Sequence, residues 1–381
     1  MTSPSSRHAE IAGAGFAGLT VATALAQRGW SVRLHEQSDE VRDFGAGILI
    51  WRNAMLSLDL LGVGATVRGH SQVPDFYETQ LNGRLVSREL PGYPYWAMTR
   101  PRLHHTLAEA AQAAGVEIVT GSRIAAADPQ GCLLRADGSA LKADLVIGSD
   151  GAGSAVRQSL SLVEERKRYR DGVVRVLIPR PAGFTGGQWD SMIDFWTLEP
   201  DVMRILYVPT GPDTIYLGFM AETSNEVASR IPIDAGIWSA RFPHLAPLVE
   251  LAALAEGGRH DSYQTNRVTP WWRERAVLVG DSAHAMCPAL AQGAGVGIVN
   301  AVDLALALDQ YPVIEDALAA WEQRQRGITD LAQSQTAHMA ETRSFAQGNG
   351  WTRERLRTAN YVAAGVTEQM QAGYPVPEAN R

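Results

Sequence analysis

The stretch Gly13-Ala14-Gly15-Phe16-Ala17-Gly18 decides how this chain folds, because of what stands on either side of it. Residues 8–12 before it read as a short strand. Residues 17–28 after it place Leu19, Ala22, Leu25 and Ala26 at helical spacing, and Gly29 closes the helix. A second strand is expected over 31–36. In such a strand–turn–helix, Gly13 permits the tight turn, Gly15 lets the backbone approach a pyrophosphate, and Gly18 lets the helix pack closely on the strand. The first turn of the helix then offers unpaired N–H groups and partial positive charge to phosphate oxygens. Glu36 ends the second strand at the spacing of an acid that bonds a ribose hydroxyl. A lone glycine pattern is weak. With strand, helix and Glu36 around it, it predicts a dinucleotide site.

Outward from that unit, residues 102–114 predict a second amphipathic helix, and 145–149 a buried parallel strand that runs into Asp150-Gly151. The middle changes character. Residues 173–178, 192–198, 202–208 and 214–220 are short β-rich runs separated by turn residues, which predicts a mostly antiparallel sheet. From Ala276 the α/β texture returns, as a strand over 276–279, a glycine-rich loop, a helix through Leu308 and a longer helix from about Val313 to the Gly348–Gly350 breakers. The expected fold class is therefore α/β, α+β overall. Residues 1–70, 97–170 and 271–345 form a discontinuous Rossmann-like cofactor domain. Residues 71–96 and 171–270 form an inserted β-sheet substrate domain, and 346–381 a C-terminal segment.

Bulk properties narrow the class. At 381 residues, 45% apolar and 20% charged, the chain has an ordinary globular composition. Its net charge of −7 is spread along the sequence, with no basic stripe for nucleic acid. No apolar stretch has the length of a bilayer span, and the short polar leader lacks the apolar segment of a secretory signal, so a cytoplasmic location is expected. Cys132 and Cys287 stand alone without metal-ligand spacing, so neither a disulfide framework nor a metal site is expected.

Whether the dinucleotide is FAD or NAD turns on two later segments. Asp150-Gly151-Ala152-Gly153-Ser154-Ala155-Val156-Arg157 follows the strand at 145–149, and Gly280-Asp281-Ser282-Ala283-His284 follows the strand at 276–279. Together with the first glycine turn, these resemble the glycine-rich, Asp-Gly and Gly-Asp motifs of the group A flavoprotein aromatic hydroxylases, the para-hydroxybenzoate hydroxylase-like family. Arg100, at the start of a helix, resembles the arginine that family places beside FAD. The resemblance covers most of the chain in order. It implies an FAD-dependent monooxygenase that takes NADH or NADPH and O2 as co-substrates, with a monomer or homodimer as the assembly. A single glycine fingerprint fits a transient reductant site over the same flavin, and Asp150 and Arg157 are candidates to serve that site as well as FAD. The alternative for that pair is an ion pair around a turn. Asp281, at a strand end, is placed to accept hydrogen bonds from the cofactor, or else caps a helix. Residues 288–297 (PALAQGAGVG) are small enough for backbone to lie flat against a flavin, and the helix beginning there points its N-terminus at it. Pro288, Gln292, Gly293, Ala294 and Gly295 are the residues of interest in that loop. The bland alternative is a tight loop–helix junction. The loop departs from the family pattern: Ala291-Gln292-Gly293 replaces Gly-Gln-Gly, and Asn300 stands where an acid is usual.

At finer grain the chain resembles a subgroup of that family, the 2-methyl-3-hydroxypyridine-5-carboxylic acid oxygenases. The matching stretches are 34–36, 44–48, 77–79, 204–207, 216–218 and 283–293. The resemblance assigns the substrate side to Tyr77, Arg175, Arg204 and Tyr216, with Tyr263 beside them, for a small aromatic or N-heteroaromatic acid. Leu49 departs, standing where the subgroup has a tyrosine. From the residues alone, Arg204 and Arg175 inside apolar strands either meet a bound carboxylate or lie on a solvent face. His35 and His284 can be read as bases, or as easily as packed, hydrogen-bonded histidines. The competing activities are hydroxylation of a benzoate, phenol or purine-like ring, a flavin oxidase or dehydrogenase without oxygen insertion, and a non-catalytic flavin sensor.

Overall fold

A computed structural model describes residues 7–41, 47–90 and 94–342. The expected segment 346–381 and the end of the last expected helix lie outside these residues, as do Phe44, Gly45 and Ala46 of one matching stretch. Two sheets organise the molecule. The first has six strands in the order Trp272–Arg273, Ala276–Leu278, Leu145–Gly148, His8–Ala12, Ser31–His35, Glu117–Val119, all parallel except the Trp272–Arg273 edge. Parallel strands are covered on both faces, which is why 145–148 and 276–278 read as unbroken apolar runs. Ile11, Leu34, Val146, Ile147 and Val277 fill its core, with the helices Phe16–Ala26, Gly293–Gln310 and Ile314–Thr342 among the covering layers.

The second sheet has seven strands, in the order Arg259–Thr269, Val163–Pro179, Thr214–Glu222, Met203–Pro209, Met192–Thr197, Tyr77–Leu81, Arg84–Glu89, antiparallel except where Met192–Thr197 runs beside Tyr77–Leu81. Side chains alternate across a sheet with period two, so each strand serves two surroundings. One face carries Val174, Val176, Ile193, Phe195, Ile205, Leu217 and Phe219. It is buried under the helices Ala235–Arg241 and Ala246–Leu254. The other face carries Arg175, Asp194, Trp196, Arg204, Leu206, Tyr216 and Met220, brought side by side by the register Trp196↔Arg204, Asp194↔Leu206, Arg204↔Met220 and Arg175↔Gly218. This face looks toward the first sheet.

The sequence expectations place the middle strands correctly but miss three features. Val163–Pro179 is a single strand of 17 residues whose charged first half reads as a loop, and Arg259–Thr269 has too many polar residues to read as a strand. The helices over 226–254 are short and interrupted by Gly236, Pro243 and Pro247, which hides their period. Among the described residues no helix is long and apolar enough to cross a membrane.

Candidate active site

Four strands of the first sheet point their C-terminal ends the same way. At those ends stand the Gly13–Gly18 turn, Glu36, Asp150 and Gly280-Asp281. This is the edge of a parallel sheet at which such folds bind ligands. The edge opens into a cleft with about 1770 Å³ of empty space including its mouth, floored by this sheet and roofed by the second.

The floor is built by close backbone approach. Gly13 has φ +97°, and a Cβ there would lie 2.5 Å from the Ser149 carbonyl oxygen; at Gly18 a Cβ would lie 2.0 Å from the Gly13 carbonyl oxygen. Neither position tolerates a side chain. Gly15 differs, since a Cβ there meets nothing within 4 Å and the residue faces the cleft, so its backbone is bare toward the space in front of it. Two helices start on this floor, Phe16–Ala26 and Gly293–Gln310, neither with an acid in its first turn, so both present partial positive charge. The Glu36 carboxylate accepts from the Ala14 N–H at 3.0 Å and the Ser38 N–H at 2.9 Å, which pins it beside the glycine turn. Arg100 lines the cleft with its guanidinium 4.6 Å from the Phe16 ring centre. The Asp281 side chain is exposed to the cleft and lines its wall. Desolvation by the surrounding cleft walls raises its pKa, against the pull of Arg100, Arg175 and Arg259. Pro288, Gly293 and Ala294 also line the cleft.

Three cofactor-side expectations need correction. Asp150 accepts from the Ala155 N–H at 2.8 Å and the Val156 N–H at 3.1 Å; it holds the first turn of the helix Ala155–Ser159, whose N-cap is Ser154, rather than lining the cleft. Arg157 is buried and donates to the Ser282 and Ala152 carbonyls at 2.9 and 2.7 Å, with Glu164 as its acid partner, so it ties turns together and forms no ion pair with Asp150. The Gln292 side chain is fully buried against Asn53 and packs beside Gly295, so both lie behind the cleft wall. His35 bonds Ser122 and Glu10, and His284 contacts Asn300, so both are packed side chains, the second of the two readings the sequence left open. Asn300 is part of that buried contact and does not reach the cleft.

On the roof, Arg175, Arg204, Tyr216 and Tyr263 all line the cleft together with Leu49, Val173, Leu206 and Met220. Tyr216 is clasped between two glycines: a Cβ at Gly47 would lie 2.6 Å from the Tyr216 Cβ, and one at Gly218 2.9 Å from its hydroxyl. Tyr77 does not reach the wall. It is fully buried in an aromatic stack, 4.6 Å from Tyr95 and 6.2 Å from Trp51, behind Leu49 and Tyr216. The two arginines have acid partners that the sequence reading missed. Arg175 bonds Asp261, which also holds Arg259, and Arg204 bonds Asp194 through Nε. An acid inside the apolar strand Met192–Thr197, one hairpin from an arginine, was the available signal. Burial would lower the pKa of both guanidiniums. Asp194 overcomes this for Arg204, as Tyr216 and Asp261 do for Arg175, so both stay charged. Burial raises the Tyr263 pKa well above its ordinary value against the pull of Arg204 and Arg175, which keeps its hydroxyl protonated.

The donor set suits an adenine-linked dinucleotide: bare backbone at Gly15, two helix N-termini, a pinned acid at Glu36, and a cleft continuing to a roof lined with cations and phenols. Comparison with known proteins agrees. Residues 8–312 match the family model for an FAD binding domain. A 2-heptyl-3-hydroxy-4(1H)-quinolone synthase of Mycobacteroides abscessus is 35% identical over 341 residues, covering 88% of this chain and 90% of that protein. A 6-hydroxynicotinate 3-monooxygenase of Bordetella bronchiseptica is 29% identical over 327 residues, 81% and 84% of the two chains. The solved structure of the tetrameric form of 2-methyl-3-hydroxypyridine-5-carboxylic acid oxygenase superposes with TM-score 0.90 at 45% identity, over 94% of this chain and 98% of that one. The chain belongs to the FAD-binding-domain family, as an FAD-dependent aromatic monooxygenase that takes NAD(P)H as co-substrate.

Proposed function

We propose that the enzyme hydroxylates a hydroxylated N-heteroaromatic carboxylate, of the 3-hydroxypyridine carboxylic acid kind, with NADH or NADPH and O2, and that ring opening can follow. The observation that carries this reading is the Arg204 guanidinium. It faces the cleft, and its terminal nitrogens bond no group among the described residues, although Nε is held by Asp194. A ring carboxylate matches that fork with two parallel hydrogen bonds.

FAD, once reduced, supplies the reaction with O2 and the oxygen transfer. Gly13, Gly15, Gly18, Glu36, Arg100, Asp281, Gly293 and Ala294 would hold it, with Asp150, Gln292 and Gly295 shaping the turns from behind. On the roof, Arg204 and Arg175 take the acid group and fix the ring. Tyr216 hydrogen-bonds the ring oxygen and so favours the deprotonated, electron-rich ring. Pro288 and the apolar residues Leu49, Leu206 and Met220 exclude water. Tyr77 acts only by backing Tyr216.

The test is a panel of hydroxypyridine, hydroxybenzoate and phenol substrates. A hydroxypyridine carboxylate should accelerate NAD(P)H-driven flavin reduction at least about tenfold over the other rings, with label from O2 entering the product. Label absent from the product means an oxidase, and NAD(P)H oxidation indifferent to every ring means a redox or sensor protein. A second reading, an alkylated quinolone-type ring, is favoured by the apolar wall of Leu49, Val173, Leu206 and Met220. Preference for an alkylquinolone over the pyridine acids would select it.

A further inference from the structure

The roof sheet holds a carboxylate to which the proposed function gives no task. Asp194 is fully buried in the strand Met192–Thr197, facing Leu206 on one side and Thr79 on the other. Its Oδ1 accepts from Arg204 Nε, while its Oδ2 is buried without a hydrogen-bond partner, as is the hydroxyl of Thr79. Arg204 lies directly opposite Trp196, whose ring centre is 4.9 Å from the guanidinium carbon. The guanidinium is thus gripped on its inner edge by an acid and on its flat face by an indole. Only the edge formed by its two terminal nitrogens is left, on the wall of the cleft.

Stability does not explain this arrangement. A buried ion pair is rarely better than an apolar pair of the same volume, and an orphaned carboxylate oxygen is a cost. What the pair does supply is direction. An arginine whose Nε is held keeps its planar fork at one angle, and bidentate recognition of a carboxylate depends on that angle. We propose that Asp194 is a positioning residue, fixing the Arg204 fork so that its two terminal N–H groups meet an acid group on the aromatic ring. This rests on the reading of Arg204 given above.

The test compares wild type, Asp194→Ala, Asp194→Asn, Arg204→Met and the double variant Asp194→Ala/Arg204→Met, each as the FAD-loaded enzyme. Binding is followed through the flavin absorbance with two probes, 2-methyl-3-hydroxypyridine-5-carboxylate and 3-hydroxypyridine, which lacks the acid. Asp194→Ala should weaken the carboxylate probe by roughly tenfold or more and change the neutral probe by no more than about twofold. The same change should have no further effect once Arg204 is Met, because the two residues act as one. Asp194→Asn should recover most of the loss, since its amide oxygen still accepts from Nε. Where Asp194→Ala does not fold, Asp194→Val fills the volume and carries the same expectation. Equal losses for both probes, or losses additive with Arg204→Met, overturn the assignment. A wild type indifferent to the carboxylate probe removes the reading of Arg204 itself, and this assignment with it.

Discussion

At the scale of single residues, two glycines of one turn should behave oppositely. Gly18→Ala places a methyl group against the Gly13 carbonyl and should cost about 3 kcal/mol or more, seen by denaturant unfolding. Gly15→Val meets only open space, so the stripped protein should melt within about 2 °C of wild type, while the purified protein loses its yellow flavin. The cysteines separate in the same way. Burial pushes the Cys287 thiol up to about 12 and its side chain is fully enclosed, whereas Cys132 is half-buried. A thiol reagent at pH 8 should therefore label Cys132 in the native protein, and Cys287 only after unfolding. Much of this scale was legible beforehand. The glycine turn, Glu36, Arg100 and Asp281 stand where their motifs put them, because local backbone geometry dictates them. The pairing of Asp261 with Arg175 was not legible, because a partner across a sheet is set by register, while for Asp194 the only signal was an acid inside an apolar strand one hairpin from Arg204. Asp150 and Gln292 misled, because a motif residue can serve the turn rather than the ligand.

Elements show the same division between local and distant causes. The parallel strands and their helices were readable from apolar runs and helical spacing. Arg259–Thr269 was not, since one of its faces meets the cleft and needs no apolar residues. The helices over the outer face of the roof sheet were hidden by their brevity, yet they carry much of its stability. Trp238 of Ala235–Arg241 is fully buried, with its ring 5.0 Å from that of Phe219 and its indole N–H donating to the Ala228 carbonyl at 3.3 Å. Trp238→Ala should cost about 3–5 kcal/mol, measured by urea unfolding. It removes the brace behind the strand that carries Tyr216, so KM for the aromatic substrate should rise more than the dissociation constant for FAD.

For the whole molecule, acid is the predicted weakness. Burial lowers the His284 pKa from 6.5 to about 4, so the unfolded chain takes up a proton that the folded one refuses, and stability falls as pH drops between those values. The loss across that window is about 3 kcal/mol. Glu10 acts in the same direction at lower pH. Burial alone would raise its pKa, but hydrogen bonds from His35 and His8, and the charges of His35 and Arg33, bring it below 4.5. Its contribution is present above the unfolded value and vanishes as pH falls through the folded one. Unfolding free energy measured at pH 7 and pH 4.5 should therefore drop in wild type and drop less in His284→Gln. The roof sheet has one more consequence, because its two faces answer to different masters. Its outer surface is sealed by its own helices, so the side chains on its cleft face can be exchanged without unseating the fold, while the turn at Gly13 and Gly18 beneath allows almost no exchange. An enzyme built this way can change its diet over generations and keep its coenzyme, and directed evolution toward new rings should find its productive mutations overhead rather than underfoot.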